Sequence, residues 1–142
     1  MTEGGHRNEP EVGATASAEL VVAPSDLAST LNLEPEDSFP PVFSTARMVA
    51  LMETAAGRVL TPFLAPGERS VGVRLDLMHS AATPPGVPVT ATARYLGREN
   101  GQYVFQVVAR DRGGEIGRAT HRRAIVTEER LVRGAVRRNV AT

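Results

Sequence analysis

The segment from Phe39 to Leu64, FPPVFSTARMVALMETAAGRVLTPFL, most constrains the fold because its spacing predicts a long helix. At about 100° per residue from Thr45, polar or charged side chains gather on one narrow side: Arg47, Thr54, Arg58 and Thr61. Glu53 falls on the other side, among Val49, Ala56 and Leu60. An unpaired charge among apolar side chains is destabilising by several kcal/mol or becomes protonated. The sequence therefore predicts a partner or a function for Glu53.

Most of the chain after this helix is predicted to form strands. Alternation in Val71 to His79 places two sets of side chains on opposite faces, with Val71, Val73, Leu75, Leu77 and His79 on the core side. The pair Asn100-Gly101 predicts a tight hairpin turn. The remaining predicted strands are Ala16 to Ala23, Val87 to Leu96, Gln102 to Arg112 and Glu115 to Thr127.

The two ends of the chain differ from its middle in composition. Residues 1–14 mix Gly, Glu, Pro and Asn without periodicity, which predicts a disordered N-terminal tail. Residues 15–130 then form a single domain, which suits a chain of 142 residues. Residues 131–142 are a basic C-terminal tail without a predicted element.

One helix followed by long antiparallel strands predicts an α+β fold in which the helix packs on one face of a curved antiparallel sheet. This order of elements is that of the hotdog fold, in which the sheet wraps the helix. A small open sheet leaves a strand edge unpaired, and pairing with a second copy covers it. We therefore expect a homodimer that forms through sheet edges.

Composition narrows the function classes. Sixteen basic and sixteen acidic residues give a net charge of zero, so no nucleic-acid or membrane partner is expected. The absence of cysteine removes thiolate nucleophiles, thiolate metal sites and disulfides. The first residues do not resemble a signal peptide, and no apolar run approaches the roughly 20 residues that span a bilayer. A cytoplasmic location is expected.

Glu53, His79 and Thr45 are candidate catalytic residues because the elements that carry them should pack on one another. A carboxylate among aliphatic side chains can act as general base or as nucleophile, although an ion pair with Arg118, Arg122 or Arg123 explains it equally well. His79 ends the core-facing strand row, where it can transfer protons. Thr45 is a candidate site residue, but the simpler interpretation is a helix cap, a role that either Thr45 or Ser44 just before it can fill.

The sequence also contains histidines and phenylalanines for which a role in a site is less strongly indicated. His121 is interpreted as a hydrogen-bonded sheet residue, and His6, His79 and His121 lack the spacing of metal ligands, so no metal site is predicted. Phe39 and Phe43 bracket a rigid Pro40-Pro41 pair that can hold aromatic rings over a pocket.

Three stretches resemble the fluoroacetyl-CoA thioesterase group of hotdog-fold acyl-CoA thioesterases: FPPVFSTARMVALMETAAGRVLTPFLAPGE, VGVRLDLMHSAATPPGVPVTATA and EIGRATHRRAIV. The resemblance runs from about Leu20 to Glu128. Its most specific parts are the spacing of Thr45 and Glu53 and the run HSAATPPG, which begins at His79. It implies that Thr45, Glu53 and His79 form the catalytic group, that Gly72 and Arg123 line the thioester end of the site, and that Phe39 covers the acyl pocket.

The expected function is hydrolysis of a short acyl-CoA to the free acid and CoA, with fluoroacetyl-CoA or a related thioester as substrate. No cofactor is expected, since CoA is part of the substrate. Two alternatives stay open from the sequence. One is a hotdog hydratase or dehydratase, which also uses His with a carboxylate, and the other is a non-catalytic acyl-CoA-binding protein in which Glu53 and His79 pair in the core.

Overall fold

The computed structural model describes residues 8–140, which form one antiparallel sheet and two α-helices. The helices are α1 (Thr45–Leu60) and α2 (Glu128–Arg138), and short 3₁₀ turns flank α1. The strands are β1 (Thr15–Val21), β2 (Glu68–His79), β3 (Pro88–Glu99), β4 (Gln102–Asp111) and β5 (Gly114–Thr127). The predicted elements are confirmed, with their ends shifted by a few residues.

The sheet has the strand order β1-β3-β4-β5-β2, so β1 and β2 are its two edges. The predicted hairpin joins β3 to β4, and both turn residues have positive φ, 53° at Asn100 and 78° at Gly101. Positive φ at both central positions defines the type I′ turn that Asn-Gly favours. Every strand of the sheet thus pairs antiparallel with its neighbours.

Helix α1 packs on one face of the sheet, and the core lies between them. The helix contributes Met48, Met52, Ala55 and Leu60, which are fully buried. The facing side chains alternate along the central strands and include Val89, Ala91, Ala93 and Tyr95 on β3 and Phe105, Val107 and Ala109 on β4. This confirms the predicted α+β hotdog architecture, a central helix wrapped by a curled antiparallel sheet.

A β-bulge in β2 corrects the predicted alternation of that strand. Gly72 pairs with Arg123 and Arg74 pairs with Arg122, so Val73 is an extra residue without a partner on β5. An extra residue reverses which side chains face the helix. Gly72 therefore faces α1 before the bulge and Leu75 faces it afterwards, whereas Val73 is 47% exposed.

Residues 8–14 correct the predicted N-terminal tail. The Tyr95 hydroxyl donates to a Glu9 carboxylate oxygen at 2.9 Å, and the Gly13 amide donates to the Tyr95 carbonyl at 2.8 Å. The disorder prediction is wrong for this segment because it is hydrogen-bonded to β3. Residues 1–7, with His6, lie outside the described residues.

The basic C-terminal segment contains helix α2, which was not predicted. Acidic Glu128 and Glu129 begin the helix and basic Arg137 and Arg138 end it, an arrangement that complements the helix dipole. The helix starts before residue 131, so the predicted boundary between domain and tail falls inside an element. No helix among residues 8–140 is long and apolar enough to cross a bilayer.

Candidate active site

Thr45 and His79 meet where the start of α1 approaches the end of β2. Thr45 Oγ1 and His79 Nδ1 are hydrogen-bonded at 2.8 Å. The helix is capped by Ser44, whose Oγ accepts from the Arg47 amide at 3.0 Å. Because Ser44 provides the cap, the interpretation of Thr45 as a helix cap is wrong, and its hydroxyl is available to His79.

A small cavity of about 260 Å³ opens at this pair and is lined by Val42, Thr45, His79, Ser80, Ala81 and Ala82. His79 Nε2 is buried and has no hydrogen-bond partner within residues 8–140. A buried polar atom without a partner is rare in native structures and often marks a functional position. The imidazole is thus oriented through Nδ1, and Nε2 remains available for a ligand.

The loop after β2 is fixed by hydrogen bonds that place His79. The Thr83 hydroxyl donates to Asp111 at 2.7 Å, and the Thr83 carbonyl accepts from the Phe43 amide at 2.9 Å. The Ser80 amide donates to the Ile116 carbonyl at 2.8 Å. These contacts tie the end of β2 to the segment that enters α1, which is why the two residues of the pair meet.

Glu53 lies in the middle of α1, and its carboxylate rests against the backbone of β2. A Cβ added at Gly72 would lie 1.9 Å from Glu53 Oε2, so only glycine leaves room for the carboxylate. The Glu53 side chain is 40% exposed. It is therefore not enclosed by apolar side chains as predicted, because it reaches the open edge of the sheet at β2.

The partner of Glu53 is Arg123, at 3.4 Å between Nη1 and Oε2. Arg123 is 7% exposed, and its Nε and Nη2 donate to the hydroxyl and carbonyl oxygens of Ser70 at 3.0 and 2.9 Å. Burial lowers the pKa of Arg123, and the Glu53 carboxylate opposes that shift. Because its side chain is buried and bonded, Arg123 is not placed to meet CoA phosphates at the surface.

His121 is buried beneath this ion pair. Its Nδ1 is 2.8 Å from the Arg74 carbonyl oxygen, and its Nε2 is 3.1 Å from Arg123 Nη1. Burial lowers the pKa of His121, as does the neighbouring Arg123, whereas the Arg74 carbonyl and Glu53 act in the opposite direction. The predicted hydrogen-bonded sheet histidine is confirmed.

The two predicted aromatic residues have different positions. Phe39 is 52% exposed in the loop before α1, where a ring can approach a ligand. Phe43 is 1% exposed and belongs to the core, so the prediction that it contacts substrate is not supported by its position. Its ring anchors the loop that carries Phe39.

Two pairs of predicted residues are in contact, Thr45 with His79 and Glu53 with Arg123. No hydrogen bond among residues 8–140 connects one pair to the other. Within residues 8–140, Glu53 is hydrogen-bonded to Arg123 and has no such bond to His79. Sequence reasoning missed Ser70, which holds Arg123. A weak signal for it exists, since Ser70 and Gly72 are small residues two positions apart, as one strand face requires.

No group of three or more His, Asp or Glu side chains within residues 8–140 is arranged to hold a metal ion. The largest cavity that we describe, about 820 Å³, lies between α2 and the start of β2 and is lined by other residues, among them Arg69, Glu128 and Val132. The volume of a cavity therefore does not identify the candidate site. The Glu53 carboxylate, the His79 imidazole and their hydrogen bonds identify it.

Known proteins are similar to this chain in both sequence and fold. The sequence profile of the fluoroacetyl-CoA-specific thioesterase family matches residues 22–129. A fluoroacetyl-CoA thioesterase from Streptantibioticus cattleyicolor is 40% identical over 122 residues, which cover 84% of this chain and 88% of that protein. A solved structure of a fluoroacetyl-CoA thioesterase has a TM-score of 0.86 at 38% identity and covers 94% of this chain and 100% of its own. A thioesterase superfamily member from Thermus thermophilus has a TM-score of 0.79 at 29% identity, covering 90% and 91%.

Fold, site and matches together define the class of protein, a hotdog-fold thioesterase that hydrolyses thioester bonds. The hydratase and non-catalytic alternatives are accordingly set aside. Within that class, the chain belongs to the fluoroacetyl-CoA-specific thioesterase family.

Proposed function

We propose that this protein hydrolyses a small acyl-CoA, of which fluoroacetyl-CoA is the leading candidate, to the free acid and CoA. The observation that carries the proposal is the Glu53 carboxylate, seated on Gly72 by the buried Arg123 at an open sheet edge. The similar protein and the matching family are both named as thioesterases for fluoroacetyl-CoA. The family match covers the segments that carry Glu53, Gly72 and Arg123. No cofactor takes part in the proposed reaction.

In the proposed mechanism, Glu53 attacks the thioester carbonyl carbon or removes a proton from the water that attacks it. The C–S bond then breaks, and the sulfur leaves as a thiolate that takes a proton from His79, which regains one from the attacking water. If Glu53 is the nucleophile, that water hydrolyses the acyl–Glu53 anhydride, which releases the free acid and restores the carboxylate. Thr45 holds the imidazole through Nδ1, which leaves the buried Nε2 without a partner among residues 8–140 and free to carry the transferred proton. The small cavity beside His79 suits a short acyl group, and Phe39 is proposed to cover it.

A homodimer is proposed to complete the site. Glu53 rests on Gly72 in the first half of β2, and His79 is the last residue of the strand, about 20 Å away along it. Strand β2 is an unpaired edge with exposed apolar side chains at Val73 and Met78. If a twofold axis crosses β2 between residues 75 and 76, antiparallel pairing sets Gly72 opposite His79 of the partner subunit.

The activity test is a screen of purified protein over a small panel of acyl-CoAs that includes fluoroacetyl-CoA and acetyl-CoA, with free thiol as the readout. Glu53→Gln should abolish turnover without unfolding the protein. The matched control is Glu19→Gln on β1, the opposite edge of the sheet, which should retain the wild-type rate. Full activity of Glu53→Gln would disprove the proposed role of the carboxylate.

Mixed dimers test whether the site spans two subunits. Glu53→Gln and His79→Ala are each expected to be inactive, but a dimer with one chain of each kind has one intact pair. After exchange of subunits at equal amounts, about a quarter of the wild-type activity should return. No recovery, with exchange verified by mass, would place Glu53 and His79 of one chain in the same site.

The proposed acyl-CoA substrate fits the cytoplasmic location expected from the sequence. Cell fractionation with an antibody to this chain tests that location directly.

A further inference from the structure

A buried layer lies beneath the Glu53 carboxylate and is built by His121 and Arg123 on β5 and Ser70 on β2. His121 is 1% exposed and Arg123 is 7% exposed. The proposed reaction assigns no part to His121. Its imidazole nevertheless contacts Arg123, which in turn is hydrogen-bonded to the Glu53 carboxylate. A buried titratable group in this position needs a physical account.

The hydrogen bonds of His121 fix its tautomer. The Arg74 carbonyl oxygen can only accept, so Nδ1, at 2.8 Å, carries the proton. Arg123 Nη1 can only donate, so Nε2, at 3.1 Å, offers its lone pair. Both contacts are satisfied by the neutral ring with hydrogen on Nδ1, and by no other form of the ring.

The same bonds determine where the Arg123 guanidinium points. Two of its nitrogens are held by Ser70, and the third, Nη1, lies between His121 Nε2 and Glu53 Oε2. A protonated His121 would present an N–H to the N–H groups of Nη1 and place a second cation beside the first. The guanidinium would then lose its orientation toward Glu53.

The surroundings of His121 favour the neutral ring. The charged groups that face it are Arg123 on its own strand and Glu53 on α1. From β4 it meets the ring of Phe105, at 6.3 Å between centroids, and from β2 the Arg74 carbonyl. Burial next to an apolar ring and a guanidinium disfavours a charged imidazole.

We propose that His121 is a positioning residue of the thioesterase site, whose neutral Nδ1–H form fixes Arg123 and thereby holds the Glu53 carboxylate against Gly72. The inference rests on the proposed role of Glu53. His121 acts through Arg123 and does not touch the substrate.

Two substitutions separate the bonds of His121. In His121→Asn the amide nitrogen can replace Nδ1 and donate to Arg74, but nothing replaces Nε2. In His121→Gln the amide oxygen can replace Nε2 and accept from Arg123, but the donor to Arg74 is lost. We expect kcat to fall about 10- to 100-fold in His121→Asn with little change in KM, and His121→Gln to recover most of that loss.

Thermal unfolding of both variants accompanies the kinetics, because a purely structural histidine would lower kcat only through the folded fraction. Long-range ¹H–¹⁵N NMR of the wild-type imidazoles supplies a readout that needs no variant. The spectrum of His121 should show a neutral ring protonated on Nδ1 at neutral pH.

The outcomes are distinguishable. If the wild type releases thiol and the two variants are equally active, or if His121 is charged or protonated on Nε2, the inference is wrong and the proposed function stands. If the wild type hydrolyses no acyl-CoA of the panel, the proposed function fails and the positioning role fails with it.

Discussion

Two parts of β2 differ in how their side chains are held: the part around Gly72, here called the Gly72 end, and the part around His79, here called the His79 end. At the Gly72 end, the Glu53 carboxylate is held by a buried arginine that is itself bonded to Ser70 and His121. At the His79 end, Thr45 is exposed and the imidazole Nε2 has no partner within residues 8–140. The Gly72 end is thus preorganised within a single chain, whereas the His79 end keeps a buried ring nitrogen without a hydrogen bond to any described residue. Substitutions at the Gly72 end should therefore lower the rate by displacing the Glu53 carboxylate. Substitutions at the His79 end should lower it by removing a single hydrogen bond.

Among substitutions that leave the candidate catalytic side chains in place, the largest effect is expected for Gly72→Ala. The new methyl carbon would lie 1.9 Å from Glu53 Oε2, so the carboxylate must leave its position on β2. A displacement of about 1 Å costs on the order of 100-fold in rate, and we expect at least that loss of kcat/KM.

The matched control for Gly72→Ala is Gly57→Ala on the facing surface of α1. Its Cβ would be 3.7 Å from Ser70 Oγ and 3.8 Å from Arg123, which are ordinary contacts. The rate should be preserved and the helix stabilised by about 0.5–1 kcal/mol. If both variants lost the same fraction of kcat/KM, the loss would reflect a general intolerance of substitution in this region. It would then not support a specific fit between Gly72 and Glu53.

A smaller effect is expected at the His79 end. Thr45→Val removes the hydroxyl that orients His79 but preserves the shape of the side chain. Loss of a hydrogen bond worth about 1.4 kcal/mol corresponds to about tenfold in kcat, and Thr45→Ser should lose less. Equal rates for the valine and serine variants would contradict the role of the hydroxyl.

Much of the fold could be predicted from the sequence because its signals are local. Helical periodicity predicted α1, and alternation predicted that β2 is a strand. Strand-like runs between turn signals predicted β3, β4 and β5, and Asn100-Gly101 predicted one hairpin. Helix α2 was missed because its side chains are exposed and it has little contact with the core, so no buried face marks it. Residues 8–14 were misjudged because their order depends on bonds to Tyr95, which is distant in sequence.

The candidate site was only partly predictable for a related reason. Thr45 and His79 end elements that meet, and their contact is confirmed. Arg123 was one of the predicted ion-pair partners of Glu53, and that ion pair is confirmed. The contact of Glu53 with Gly72 did not follow from strand alternation, because the bulge at Val73 changes which residues of β2 face the helix. The one signal for the bulge in the sequence is Gly72, since an isolated glycine inside a strand suggests a bulge or a close backbone approach. Gly72 therefore faces Glu53, which the predicted alternation would exclude, and Ser70 on the same face binds Arg123.

Ser44→Ala separates the cap of α1 from the chemistry at its neighbour. The Ser44 hydroxyl accepts from the Arg47 amide, and loss of such a cap costs about 1 kcal/mol of stability. The activity of the folded protein should change far less than in Thr45→Val. Chemical denaturation and kcat, measured on the same samples, check both statements. Ser44→Gly, which should cost only a few tenths of a kcal/mol, is the control.

The smallest expected effect is in the pH dependence of stability. Burial, with the neighbouring Arg123, lowers the pKa of His121 in the folded protein below its usual value of about 6.5. Below that value the unfolded chain binds a proton that the folded protein does not, so stability should fall as the pH falls toward the folded pKa.

Denaturation at about pH 7.5 and about pH 5.5 should therefore show a larger loss of unfolding free energy on acidification for the wild type than for His121→Gln. The two proteins differ only at residue 121, so the difference between their pH slopes reports on His121. Equal pH slopes would mean that His121 is free to protonate in the folded state. The Gly72 end would then be less firmly preorganised than its hydrogen bonds indicate.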